Sequence, residues 1–136
     1  MMKNTESDLA YLSGIIDGEG CIYINKSRKS YMLVIQVTST DYKLIQWLLD
    51  HFGGYYICHK SNNEKYKDVW YWRAKSCDYD IILIGILPFS VIKRDQIITA
   101  LNYSFEIKKL PGLKMTDEER SMRYEYYKKL RELKRV

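Results

Sequence analysis

The chain has 136 residues, 46% of them hydrophobic and 29% charged, with a net charge of +5 at pH 7. That composition belongs to a globular protein long enough to bury one core. No apolar run approaches the roughly 20 residues of a membrane span, and no early stretch has signal-peptide character, so an intracellular protein with no membrane partner is expected. Taken in chain order, the first helix is expected from about Ser7 or Asp8 to Asp17, with Leu9, Leu12, Ile15 and Ile16 on one side and Gly18 and Gly20 breaking it. Cys21 to Asn25 alternates like a strand, and Lys26 to Ser30 is a polar turn. Tyr31 to Thr38 completes a hairpin. Thr40 or Asp41 opens an amphipathic helix whose stripe is Leu44, Ile45, Leu48, Leu49 and Phe52, stopped by Gly53 and Gly54. Tyr55 to Lys60 and Val69 to Lys75 flank a polar loop as two further strands. Helices are then expected at about Asp78 to Leu87, ended by Pro88, and at about Arg94 to Lys108, followed by punctuation at Pro111 and Gly112. The last helix opens on a capping box at Thr116 and Glu119, with Met122, Tyr126, Leu130 and Leu133 apolar and Glu119–Arg123 and Glu125–Lys129 spaced to pair.

The order is αββαββα with extra C-terminal helices, an α+β class with a four-stranded antiparallel sheet and helices on one face. One domain over residues 1–136 is expected, its core at about 8–108 and a C-terminal helical segment at about 114–134. The wide spacing of Cys21, Cys58 and Cys77, with only two histidines, speaks against a zinc cluster or a disulfide framework. Thirteen tyrosines and three tryptophans suit a large pleated surface.

Alternation separates the two faces of that sheet. Ile22, Ile24, Leu33, Ile35 and Val37 point to the helices, which leaves Cys21, Tyr23, Asn25, Ser27, Met32, Val34, Gln36 and Thr38 on an open face. Polarity turns Tyr71, Arg73 and Lys75 of the last strand outward, but the alternative with Trp70, Trp72 and Ala74 outward is also open. The hairpin tips are basic, with Lys26, Arg28 and Lys29 on one and Lys60, Lys65 and Lys67 on or beside the other, well placed for phosphates flanking a groove.

The segment Leu12 to Gly20, LSGIIDGEG, has its own logic. Ser13 and Gly14 are small enough to let another backbone come close. A helix of ten residues is only about 15 Å long and must be packed on both sides to form. Asp17 and Glu19 follow in a glycine-rich turn that runs into the sheet, where a carboxylate beside an accessible carbonyl suits an oxygen-ligated Mg2+. One acid per chain is a poor metal nuclease. Two chains meeting at a helix seam would bring two acids to one phosphodiester.

LSGIIDGEG resembles the signature of the LAGLIDADG homing endonucleases, with Ser13, Gly18 and Glu19 among the departures. Leu87-Pro88-Phe89 followed by Ile92-Lys93-Arg94-Asp95-Gln96 is similar to a second family segment, LxPxL…IKxxQ. The resemblance implies a Mg2+-dependent, site-specific double-strand DNA endonuclease of intron-encoded type. With a single signature it would act as a homodimer on a pseudo-palindromic target, each sheet covering one half-site. A related reading of the same fold is an RNA maturase acting on host intron RNA, or a DNA-binding regulator without cleavage.

The resemblance also assigns roles. Glu19 becomes the metal ligand with the Gly18 carbonyl assisting, and Lys93 the lysine near the cleavage centre. Ser39 stands where some members hold a water-positioning glutamine. Asp17 supports the helix end and the seam, to which Leu9, Leu12, Ser13, Gly14 and Ile16 also belong. Gln36 contacts a base and Lys43 lies near the centre. The DNA surface takes in Tyr23, Asn25, Ser27, Arg28, Lys29, Met32, Val34, Thr38, Tyr55, Ile57, His59, Lys60, Lys67, Arg73 and Lys75. Strand register in the family adds Trp70 and Trp72 to that surface.

Overall fold

A computed structural model of the chain describes residues 4–28, 30–110 and 114–134. Lys29, Pro111 and Gly112, which figure in the sequence reading, lie outside the described residues. The elements are α1 (Glu6–Glu19), β1 (Gly20–Lys26), β2 (Tyr31–Ser39), α2 (Tyr42–Phe52), β3 (Tyr55–His59), β4 (Val69–Arg73), α3 (Tyr79–Ile86), α4 (Arg94–Lys108) and α5 (Asp117–Lys134). Short 3-10 turns at Ser76–Asp78 and Leu87–Phe89 bracket α3, so the helix expected from about Asp78 is shortened at both ends. Pro88 sits within the second of these turns, where its missing N–H costs nothing.

The α1 cap is earlier than expected. Thr5 Oγ1 accepts the Asp8 amide at 3.1 Å and Asp8 returns a carboxylate to the Thr5 amide at 3.2 Å, a reciprocal box that starts the helix at Glu6. Asp41 caps α2 through the Lys43 amide, as expected. Thr116 caps Glu119 at 3.1 Å. The expected i,i+4 pairs on α5 are replaced. Glu125 pairs with Lys128, and Arg123 turns inward to the Tyr103 hydroxyl at 3.1 Å over the Tyr103 ring.

The four strands of the described residues form one antiparallel sheet in the order β1-β2-β4-β3. Its covered face carries Ile22, Ile24, Leu33, Ile35, Val37 and Trp72 against Leu12, Ile16, Ile45, Leu48, Phe52 and the buried faces of α3 and α4. Gly53 and Gly54 take φ +67° and +82°, which lets the chain leave α2 and enter β3 directly under the Trp72 indole. α5 joins the same core through Leu130 and lies along β1, the outer strand. Its Tyr124 and Tyr127 rings receive Lys26, and its Lys134 reaches over Tyr23 and to Cys21 on the open side of the sheet.

Trp72 decides the face of β4. It is fully buried, with 0% exposure, and its indole N–H donates to the Gly53 carbonyl at 2.8 Å. Trp70 follows it inward and packs on Tyr42 of α2. The placement of Trp70 and Trp72 on the DNA surface is therefore overturned, because burying two indoles against α2 outweighs any register analogy. Polarity read β4 correctly, with Tyr71 and Arg73 outward. Trp72→Phe is expected to lose about 1–2 kcal/mol, chiefly from the orphaned Gly53 carbonyl, and to leave any DNA affinity unchanged. Denaturant midpoints and a gel shift would check both parts, and weakened DNA binding at preserved fold would contradict this orientation.

Candidate nucleic-acid interface and acidic centre

The open face is built from alternate residues of four strands. The β3–β4 register sets Tyr55 opposite Arg73, Ile57 opposite Tyr71 and His59 opposite Val69, so Tyr55, Ile57 and His59 share the outward side with Tyr71 and Arg73. Tyr23, Asn25, Met32, Gln36 and Thr38 join them from β1 and β2. Val34 points the same way but is only 6% exposed; Tyr23 stands directly across the ladder and can cover it. Its expected role as an exposed apolar contact does not hold. Ser27, Arg28, Lys43, Lys60, Lys67 and Lys75 are all exposed.

At the centre of this face is a hydrogen-bonded cluster that the linear sequence does not announce. Gln36 lies opposite Arg73 in the β2–β4 ladder, and Arg73 Nε donates to Gln36 Oε1 at 2.8 Å. The Tyr23 hydroxyl donates to the same oxygen at 3.4 Å and accepts from Arg73 Nη2 at 3.5 Å. Tyr79, at the start of α3, is half-buried near this group. Burial pushes its hydroxyl up to about 12; the neighbouring Tyr55 and Tyr23 add to the rise and Arg73 opposes it.

The two acids of the LSGIIDGEG segment are used differently. Asp17 is engaged on both carboxylate oxygens. Oδ1 accepts from Ser90 Oγ at 2.7 Å and the Lys93 amide at 3.3 Å; Oδ2 accepts from the Val91 amide at 2.8 Å and the Ile92 amide at 3.3 Å. Burial alone would raise its pKa, but the Val91, Ser90, Ile92 and Lys93 donors together outweigh it and hold the carboxyl below its ordinary value. This carboxylate is a clamp between the end of α1 and the start of α4. With both oxygens engaged by protein donors it is a poor candidate for a metal ligand. Ser90 was not among the residues singled out from sequence, since no local spacing links it to Asp17.

Glu19, by contrast, is exposed at the mouth of a shallow cleft lined by Thr38, Ser39, Thr40, Leu44 and Val69. Helix termini leave their last carbonyls without intrahelical partners. The Ile16 carbonyl takes the Gly20 amide and the Asp17 carbonyl takes Lys93 Nζ at 3.0 Å; Gly18 is the next in that series. Carboxylate plus carbonyl is a hard-oxygen donor set of the kind Mg2+ prefers. No group of three His, Cys, Asp or Glu among the described residues is arranged to hold a metal. Glu19 and Gly18 therefore fit half of such a site.

Ser39 shares the cleft, but its hydroxyl is committed to a turn, donating to the Asp41 carbonyl at 3.2 Å and accepting the Asp41 amide at 3.0 Å. A water-positioning role has no support in that geometry. Lys93 is brought to the same end of α1 as Glu19, held by its own amide and ammonium to the two ends of Asp17.

The expected seam residues divide sharply. Leu12, Ser13 and Ile16 are buried within this chain, with Ser13 Oγ donating to the Ile86 carbonyl, and Leu9 seats against Gly85, where a Cβ would come within 2.7 Å of it. Leu12, Ser13 and Ile16 are core residues and cannot form a surface seam, because the sheet and α3 already use that side of the helix, whereas Leu9 is only partly buried. The exposed side of α1 carries Ser7, Ala10, Gly14 and Gly18, with Tyr11, 56% exposed, beside them. Val91 and Ile92, fixed beside it by Asp17, are 81% and 70% exposed.

A family model described as LAGLIDADG endonuclease matches residues 12–88. Among solved structures, the homing endonuclease I-CvuI in complex with the I-CreI target aligns with a TM-score of 0.71 at 20% identity, over 95% of this chain and 85% of that one. The LAGLIDADG meganuclease I-AabMI bound to uncleaved DNA aligns with a TM-score of 0.65 at 19% identity, over 88% of this chain and 45% of its own. The homing endonuclease I-GzeII in complex with its DNA target gives 0.58 at 16% identity, over 90% of this chain and 43% of its own. At these identities the likeness establishes the fold. No curated protein matches the chain by sequence.

Proposed function

The chain belongs to the LAGLIDADG endonuclease family, and on that basis we propose that it is a site-specific, metal-dependent double-strand DNA homing endonuclease of intron-encoded type that works as a homodimer. The observation that carries this reading is the division of labour between the two acids. Asp17 is fully occupied in holding the fold, whereas Glu19 stands exposed at the head of an open, basic sheet.

A single exposed acid supports a half-site, and the exposed side of α1 is suited to supply the other half. Ser7, Ala10, Gly14 and Gly18 recur on one side of the helix, so a two-fold copy can approach closely there, with the exposed Tyr11 ring, leaning on Trp47, at the edge of the contact. That approach would set two Glu19 carboxylates side by side, with the apolar Val91 and Ile92 at the margin of the contact. The sheet faces would then extend in opposite directions along one duplex.

The chain's own groups have distinct tasks in phosphodiester hydrolysis. Glu19 and the Gly18 carbonyl would hold Mg2+, which when bound supplies a Lewis acid beside the phosphate. Lys93 offers a fixed positive charge where charge develops on the phosphate oxygens, and its bond to the Asp17 carbonyl sets its direction before DNA arrives. Lys43, Arg28, Lys60 and Lys67 neutralise backbone phosphates, and the central cluster of the sheet meets base edges in the major groove.

Incubation with a pool of randomised duplex DNA in Mg2+ is expected to yield doubly cut products from one sequence class, and none in EDTA. Sedimentation should return twice the 16.3 kDa chain mass. Cleavage that persists in EDTA would overturn the metal dependence, and an active monomer would overturn the paired site.

A further inference from the structure

Resting on the DNA-reading role just proposed, we infer that Gln36 and Arg73 form one donor-only reader that selects guanine in each half-site. Arg73 carries donors and no acceptor. The Gln36 atom facing its Nε at 2.8 Å must therefore be the amide oxygen, whichever way the amide would otherwise turn. The Tyr23 hydroxyl donates to the same oxygen. Both lone pairs of Gln36 Oε1 are thus engaged inside the protein, and its NH2 is turned away from them with two hydrogens to give.

The rest of the cluster agrees in sign. Arg73 spends Nε–H on Gln36 and one Nη2 hydrogen on Tyr23, leaving Nη1 with further donors. The register places Gln36 and Arg73 directly across the β2–β4 ladder on the open face, so these donors lie side by side.

An unconstrained glutamine prefers adenine, because it can accept from N6 while donating to N7. This glutamine has no acceptor to offer. Of the four bases, guanine alone shows two adjacent acceptors, N7 and O6, in the major groove; adenine and cytosine each present an amino donor that would face donors, and thymine one acceptor beside a methyl. The preferred partner of the cluster is guanine. Two-fold symmetry repeats it once on each strand of the target.

The test is binding-site selection from randomised duplex DNA in EDTA, with wild-type chain, Gln36→Glu, Arg73→Met and Tyr23→Phe, each first checked for a native melting transition. Wild type is expected to select guanine at one symmetric pair of positions. Gln36→Glu turns an outward donor into an acceptor, so guanine at that pair should fall by about tenfold relative to cytosine or adenine, with other positions unchanged. Arg73→Met should lose the guanine preference, and Tyr23→Phe, which frees one lone pair of Gln36 Oε1 but leaves the Arg73 bond in place, should weaken it less and let adenine compete at that position. Adenine at that position in wild type, or guanine indifferent to both Gln36→Glu and Arg73→Met, would overturn the inference while the endonuclease reading stands. Selection of no DNA at all would overturn that reading, and this inference with it.

Discussion

Glu19→Gln is expected to cut DNA at least roughly a thousandfold more slowly than wild type while binding it as tightly or more tightly. The amide keeps the shape of the acid and its one carbonyl-type oxygen, but it has no charge with which to hold a divalent cation. A metal-assisted centre that loses a ligand loses both charge stabilisation and solvent activation, each worth several kcal/mol. Binding should not suffer, because Glu19 is exposed and contributes repulsion towards phosphate. Cleavage and gel-shift assays on the same duplex separate the two effects. Undiminished cleavage would place the metal elsewhere.

Asp17→Asn is expected to destabilise the chain by about 2–3 kcal/mol, or roughly 10 °C in Tm. Four donors converge on the carboxylate, and an amide would point its own N–H groups at some of them. Cleavage should fall too, because the same four bonds fix the segment that carries Lys93. The carboxyl is held below its ordinary pKa in the folded chain, so its contribution is complete above about pH 4 and is lost as the pH falls through the lowered folded value. Wild type and variant should therefore differ in Tm by a constant amount near neutral pH and converge only below about pH 4. Convergence that begins near pH 6 would assign the stabilisation to another group.

Much of this was legible in the sequence because it is local. The hydrophobic period located α2 and α4, alternation located β1 and β2, and the helix–acid junction brought out Asp17 and Glu19 together, of which the family resemblance preferred Glu19. What was not legible depends on which side of an element another element happens to cover. Leu12, Ser13 and Ile16 read equally well as a seam or as core until α3 and the sheet are seen to occupy that side of α1. Trp70 and Trp72 alternate with Tyr71 and Arg73 at the same period, and only the turn at Gly53, whose carbonyl receives the Trp72 indole, breaks the tie. The donors around Asp17 come from residues 73 to 76 positions further along the chain, a distance at which spacing carries no signal. Tyr23 and Gln36 were read as open-face residues and Arg73 as one of two alternatives for β4, but their hydrogen bonding to one another follows from strand order, and β4 lies between β2 and β3.

The position of α5 along β1 has a further consequence, for how the protein behaves among copies of itself. A sheet with two outer strands presents two rows of backbone donors and acceptors to any strand that drifts by. Here one outer strand is lined by a helix of 18 residues, anchored inside by Leu130 and outside by Lys134, with Lys26 clasped between two tyrosine rings. Among the described residues only β3 keeps an unlined margin, and that strand is five residues long and adjoins the lysine-rich loop after His59. The molecule thereby discourages the open-ended strand addition that leads to fibres, and the two-fold pairing proposed for α1 is a closed contact that stops at two copies.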